Sequence, residues 1–198
     1  MTGSPGRVAA ALARTAVAAF VVLAGCAEIT RAPESATGDA AAVAAPFEAE
    51  GRLSARRGAD AVSGQFTWMH DGARDRIALA TPLGQTIARL DGDAAGVRVE
   101  AADGRVATAP AWDELSANAL GFPLPVSGLA AWLRGLSRAG SPSTVERDAE
   151  GRPVLLRQDG WEVVYAYTDA AALRASRLTL RYPGGEPVEL RVVVDQWK

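Results

Sequence analysis

Short runs in which apolar and polar residues alternate recur from Phe47 to the C-terminus. Successive side chains of a strand point to opposite faces, so this alternation predicts strands with one apolar face each. The clearest runs place the following residues on one face: Val62, Gly64, Phe66 and Trp68; Val97 and Val99; Trp161, Val163, Tyr165 and Tyr167; Leu178, Leu180 and Tyr182; Val188, Leu190, Val192 and Val194. Turn dipeptides such as Asp71-Gly72, Asp91-Gly92 and Gly184-Gly185 separate the runs, which predicts roughly ten antiparallel strands.

Two windows with helical spacing interrupt the strands. Pro110 opens the first window, in which Trp112 and Leu115 share a face. Ser127 can cap the second window, which carries Trp132 and three leucines at helical spacing. Both helices are short, and the two tryptophans are candidates for core packing or for the floor of a cavity.

A sheet with a consistently apolar face must cover that face, either by closing into a barrel or by packing helices on it. Two or three short helices are too few to fill the inside of ten strands. The pattern therefore predicts a mainly β fold, an incomplete, half-open antiparallel β-barrel with helices over its concave face and an apolar cavity. A transmembrane barrel is disfavoured, because the runs are shorter than the roughly 9 to 11 residues that a membrane strand needs.

The apolar faces supply candidates for the lining of such a cavity. Each could equally be ordinary core, because periodicity identifies a face but not the positions that helices leave uncovered. The candidates are Leu53, Phe66, Trp68, Leu79, Val97, Val99, Val163, Tyr165, Leu178, Leu180, Val192 and Val194.

The N-terminus has the features of an export signal. Arg7 and Arg14 precede a short apolar run that ends in Leu23-Ala24-Gly25-Cys26, which looks like the lipobox of bacterial lipoproteins. Cys26 is the only cysteine of the chain, so it is free to carry a lipid rather than form an internal disulfide. We therefore expect a signal peptide over 1–25, a lipidated N-terminus with a flexible, Ala-rich tether over 26–46, and one domain over 47–198.

Composition and motifs argue against several functions. The 21 Lys and Arg residues balance 23 Asp and Glu residues without a basic stretch, so nucleic acid is a poor candidate partner. His70, the only histidine, follows a strand and precedes the Asp71-Gly72 turn, so we expect it to be exposed. No catalytic triad, phosphate loop or metal-ligand pattern can be assembled, and we expect neither an enzyme nor a cofactor.

An ordered set of motifs resembles the LolB family of outer-membrane lipoprotein receptors. It extends from Phe47 to Trp197 and includes Gly51-Arg52-Leu53-Ser54, Gly64-Gln65-Phe66-Thr67-Trp68, Asp75-Arg76-Ile77-Ala78-Leu79, Thr81-Pro82-Leu83-Gly84-Gln85-Thr86, Gly121-Phe122-Pro123-Leu124-Pro125-Val126, Leu129-Ala130-Ala131-Trp132-Leu133-Arg134-Gly135, Gln158-x-Gly160-Trp161 and Val194-Asp195-x-Trp197. The resemblance implies a half-open barrel that takes triacylated lipoproteins from the soluble periplasmic carrier LolA and inserts them into the outer membrane.

The same resemblance gives the remaining expectations. The protein would be a monomer anchored by its lipid to the periplasmic face of the outer membrane, with acyl chains of other lipoproteins as its ligands and no nucleotide or metal. Pro82-Leu83-Gly84 would form a loop whose leucine enters the membrane, since an apolar residue at a turn tip is otherwise anomalous. The alternatives are a non-catalytic envelope scaffold or a lipid-binding lipoprotein; a lipid hydrolase would need a polar catalytic group in the pocket.

Overall fold

A computed structural model describes residues 34–120 and 126–198. The predicted signal segment 1–25, the lipobox cysteine Cys26 and the motif residues 121–125 lie outside the described residues. Within the described part no helix is long and apolar enough to cross a bilayer.

The described residues form twelve strands and three short helices, slightly more strands than the sequence pattern predicts. The strands are β1 Glu34–Thr37, β2 Phe47–Arg57, β3 Asp60–His70, β4 Asp75–Ala80, β5 Thr86–Asp93, β6 Gly96–Ala101, β7 Val106–Ala109, β8 Pro142–Arg147, β9 Pro153–Gln158, β10 Trp161–Ala166, β11 Arg177–Tyr182 and β12 Val188–Trp197. The helices are α1 Ala40–Val43, α2 Trp112–Leu120 and α3 Val126–Trp132.

All twelve strands belong to one antiparallel sheet. Their order is β1-β8-β9-β10-β11-β12-β2-β3-β4-β5-β6-β7, so β1 and β7 form the two edges and the sheet does not close. This confirms the predicted mainly β, open-barrel fold. Because neighbours are antiparallel, the β2–β3, β4–β5 and β6–β7 turns share one end of the sheet, which we call the Leu83 end. The β3–β4 and β5–β6 turns share the opposite end, which we call the His70 end.

The two faces of the sheet differ in chemistry. Buried apolar residues alternate along the strands with polar residues that form cross-strand ion pairs, for example Arg52 with Asp195 at 2.8 Å and Arg181 with Glu189 at 3.2 Å. Trp112 of α2 packs against Gly92 and Val97 on the apolar face. Helices α2 and α3 therefore cover the apolar face, which we call the concave face.

Both predicted helices are present, but the start of the second differs from the prediction. Helix α3 begins at Val126, so Ser127 lies inside it and is not its cap. The helix ends in a Schellman motif: Gly135, with φ +74°, donates to Trp132 O, and Leu136 donates to Ala131 O.

One predicted turn is also wrong. Asp91 and Gly92 lie within β5, and the chain turns after Asp93, whose carboxylate accepts a hydrogen bond from Ala95 N at 2.8 Å. Gly92 is required for packing rather than for a turn. A Cβ on it would come within 2.5 Å of Trp112 Cζ2.

The segment from Glu34 to Pro46, which we call the N-terminal arm, differs from the predicted flexible tether. Strand β1 pairs with β8 over four residues, from Glu34 opposite Val145 to Thr37 opposite Pro142. Asp39 caps α1 by accepting from Ala41 N at 2.9 Å. The Ala-rich composition suggested a tether, but partners distant in sequence order the arm.

Candidate acyl-chain site and membrane loop

The twelve candidate lining residues lie on the same face of the sheet. Register connects them directly across neighbouring strands: Leu53 with Val192, Val192 with Leu178, Leu178 with Tyr165, Leu180 with Val163, and Phe66 with Leu79. The others follow by the two-residue period of a strand. Sequence alternation therefore identified one continuous apolar face correctly.

One half of this face is solid core. Val163, Leu178 and Leu180 have no exposed surface, and neither does Leu156 of β9 beside them. Trp132 of α3 is also fully buried and donates its indole N–H to Gln158 Oε1 at 2.8 Å. Together with Tyr165, which is 6% exposed, these three candidates contribute to stability and offer almost no accessible surface to a ligand.

The other half of the concave face is only partly covered. We call its incompletely buried residues the apolar floor: Leu53, Ala55, Val62, Leu79, Leu90 and Val99. They belong to strands β2 to β6, and Val62, near the Leu83 end, is 55% exposed. An apolar surface that the described parts of α2 and α3 leave partly exposed is suited to hydrocarbon.

Sequence reasoning placed Leu53, Leu79 and Val99 among its candidates but missed Ala55, Val62 and Leu90. Ala55 and Val62 are cross-strand partners on the concave face. Leu90 pairs with Val99 and with Ile77. The alternation itself carried this signal, since all three occupy the apolar phase of their strands.

Leu83 lies at the tip of the β4–β5 turn and is 89% exposed. The turn is held by hydrogen bonds from Gly84 N to Thr81 O at 2.9 Å and from Gln85 N to Thr81 Oγ1 at 3.2 Å. Gly84 has a φ of +82°, which glycine adopts without strain, and Pro82 precedes the leucine with its own φ restricted. The leucine is thus presented to solvent on a well-defined turn.

Tyr165 places an unusual polar group in the solid half. The residue is 6% exposed, and its hydroxyl has no hydrogen-bond partner among the described residues. Burial raises the pKa of this phenol, so it remains neutral at physiological pH. Its neighbour Tyr167 instead donates its hydroxyl proton to Pro153 O at 2.8 Å.

The expectation of an exposed His70 is wrong. The residue is 9% exposed, its Nδ1 lies 2.9 Å from Asp75 Oδ1, and its ring stacks on Phe47 at 5.2 Å. Trp68 donates its indole N–H to the same carboxylate oxygen at 2.8 Å. The sequence shows the turn beside His70 but not the aromatic ring that covers it.

The His70 end is also covered by the N-terminal arm. The Arg134 guanidinium donates to the carbonyl oxygens of Ala42 and Ala45, both at 2.9 Å, and also to Val43 O. It lies over the Phe47 ring at 4.9 Å from the centroid. Consequently the open apolar floor and Leu83 share one end of the molecule, while packed polar and aromatic groups fill the other.

A second exposed leucine, Leu173, escaped the sequence analysis. It is 93% exposed in the β10–β11 loop at the His70 end. Arg152 holds this loop by donating to the carbonyl oxygens of Asp169 and Ala170 at 3.1 and 3.0 Å. Leu173 is therefore about as exposed as Leu83 but lies at the opposite end of the sheet.

Comparisons with known proteins agree with the fold and motifs. The family model described as "Outer membrane lipoprotein LolB" matches residues 45–197. An outer-membrane lipoprotein LolB from Cupriavidus necator is 38% identical over 93% of this chain and 95% of its own length. The protein of that name from Thiobacillus denitrificans is 35% identical over 89% and 91%, and that from Bordetella petrii is 41% identical over 71% of each chain.

A solved structure gives independent support for the fold alone. The crystal structure of a LolA superfamily protein from Nitrosomonas europaea superposes with a TM-score of 0.51 at 7% identity, covering 77% of this chain and 85% of that one. The match of the family model to most of the chain and the identity to the named relatives lead to one conclusion: the chain belongs to the LolB family of outer-membrane lipoproteins.

Proposed function

We propose that this protein is an outer-membrane-anchored receptor that accepts triacylated lipoproteins from the periplasmic carrier LolA and inserts them into the outer membrane. Acyl chains would lie on the apolar floor, and Leu83 would enter the membrane surface. The observation that carries the proposal is the shared position of the uncovered apolar floor and the exposed Leu83 turn at one end of the sheet.

The N-terminus fits this function. After removal of residues 1–25, a diacylglycerol on Cys26 would anchor the protein, because two or more acyl chains make membrane attachment stable. Because Glu34 pairs with β8, the proposed tether would comprise the residues between Cys26 and Glu34. Glu34 is eight positions after Cys26, an extended reach of about 28 Å at most.

Transfer without nucleotide requires affinity to rise from the carrier to the receptor and then to the membrane. Each tenfold step in affinity needs about 1.4 kcal/mol. Burial of a few additional methylene groups on the floor would supply the free energy for such a step, at about 0.8 kcal/mol per methylene. The receptor would act as a monomer that binds one cargo at a time.

Transfer of a radiolabelled lipoprotein tests the proposal in two steps. Cargo loaded on purified carrier is first mixed with the full acylated protein in proteoliposomes, and cargo associated with the carrier, the receptor and the lipid is then measured separately. We expect label to leave the carrier only when the receptor is present and to end in the lipid. Label that remains on the carrier would contradict receptor function and would favour a scaffold.

A further inference from the structure

The two ends of the strand order differ in whether a strand of the N-terminal arm covers them. The edge of β8 is covered by β1 of the chain's own N-terminal arm, and Ser143 Oγ adds a hydrogen bond to Ala36 O at 2.9 Å. At the opposite edge, β7 pairs with β6 alone among the described strands. An edge strand presents a row of backbone N–H and C=O groups on its outer side that can pair with another strand.

Strand β7 is a short edge strand of four residues, but no charged side chain or proline of its own blocks the edge. Its sequence Val106-Ala107-Thr108-Ala109 contains no charge and no proline, and Val106 is 46% exposed. Natural edges are commonly blocked by lysine, proline or a bulge within the strand. An uncharged, exposed edge is therefore available for backbone pairing.

The position of this edge connects it with the apolar floor. Ala107 pairs with Val99, so β7 directly borders one floor residue, and Leu90 lies one strand further along the same row. A ligand whose acyl chains lie on the floor would have its headgroup and the attached peptide within reach of β7. An extended peptide advances about 3.3 Å per residue, so four residues would cover the length of the edge.

The N-terminal arm indicates what kind of peptide fits. Residues Glu34–Thr37 read Glu-Ser-Ala-Thr, begin eight residues after Cys26, and add as a strand to the other edge of this same sheet. A segment of small and polar residues that follows a lipobox cysteine can therefore pair with this sheet through its backbone. A cargo lipoprotein with a comparable segment after its acylated cysteine would be able to pair in the same way.

We propose that the free edge of β7 binds the extended peptide that follows the acylated cysteine of a cargo lipoprotein, by β-strand addition. The inference rests on the proposed function and adds a second recognition element to it. Backbone pairing depends little on side chains, so one edge would serve cargoes of different sequence. The acyl chains would supply most of the affinity, and the edge would select a lipidated protein over a free lipid.

Two synthetic lipopeptides test the inference on the full acylated protein in proteoliposomes. One is triacylated Cys-Ser, and the other is triacylated Cys followed by ten Ser and Ala residues. Both are delivered on the carrier, with a photoreactive amino acid at Val106 of the receptor or, as control, at Val164, which is 36% exposed on β10. We expect crosslinks from position 106 to the long lipopeptide, none to the short one, and none from position 164.

Proline substitutions supply the second readout. Adjacent residues of a strand direct their N–H groups to opposite sides, so one of Ala107→Pro and Thr108→Pro removes an outward donor and the other removes a bond to β6. The variant with the unchanged melting temperature is the informative one. In it we expect crosslinking to the long lipopeptide to fall at least fivefold, while transfer of the short one is unchanged.

The other outcomes each overturn the inference. Equal transfer of both lipopeptides without crosslinks from position 106 would remove the edge interaction and leave receptor function intact. Failure of both lipopeptides to leave the carrier would remove receptor function and the inference together. Crosslinks from position 106 to a second copy of the receptor would identify the edge as a dimer contact instead.

Discussion

Leu83 and Leu173 show that exposure alone does not assign a role to a residue. Both leucines are almost fully exposed, at 89% and 93%, and both lie on loops fixed by hydrogen bonds. Only Leu83 is at the end where the apolar floor is open. The pair therefore allows a membrane role to be separated from the general effect of a charged residue at an exposed apolar position.

Leu83→Glu should reduce insertion of cargo into liposomes about tenfold or more. Burial of one leucine contributes about 1.5 to 3 kcal/mol, and the charged replacement cannot enter the bilayer. Cargo binding and the free energy of unfolding should be unchanged, because the side chain contacts solvent. Leu173→Glu is the matched control and should insert cargo at the original rate; equal losses in both variants would refute a specific role for Leu83.

Tyr165→Phe should leave the free energy of unfolding unchanged or raise it by about 1 kcal/mol. A buried hydroxyl without a partner costs about 1 to 3 kcal/mol, and phenylalanine removes it without changing the packing. Tyr167→Phe loses the bond to Pro153 O and should be destabilised by about 1 kcal/mol. Urea denaturation measures both; a marked loss of stability in Tyr165→Phe would mean that its hydroxyl has a partner.

At the scale of elements, the strands of the domain could be predicted from sequence because alternation marks each of them. The arm could not, since its order depends on β8 and on Arg134, about 90 residues away in the chain. The environments of His70 and Gly92 could not be predicted for the same reason, since they depend on residues distant in sequence. Each lies beside or within a turn-like dipeptide, but Phe47 stacks on the first and Trp112 packs on the second.

Arg134→Lys should release the N-terminal arm. The guanidinium binds three carbonyl oxygens of the arm in a fork that a lysine ammonium cannot reproduce. We expect a loss of about 2 kcal/mol in the free energy of unfolding, together with faster amide hydrogen exchange over 40–46. Arg52→Lys affects an exposed pair with Asp195 and should lower the free energy of unfolding less than Arg134→Lys does. Unchanged exchange in Arg134→Lys would show that other contacts hold the arm.

For the whole molecule, the unequal packing of the concave face is the decisive feature. The half formed by β9 to β11 is filled by its own side chains and by Trp132, whereas the half formed by β2 to β6 keeps partly exposed residues. Sequence periodicity identified the apolar face but could not tell its filled half from its partly exposed half. That distinction depends on where α2 and α3 pack. The result is a molecule with one open apolar end and one closed end.

The most direct test of this account is to map where acyl chains bind. A lipoprotein with a photoactivatable group in its acyl chains is delivered by the carrier to the full acylated protein, and the labelled residues are identified by mass spectrometry. We predict label on the apolar floor, at Leu53, Val62, Leu79 and Val99, and none at Val163, Leu178 or Leu180. Label confined to β9–β11, or an absence of label from the concave face, would contradict the account.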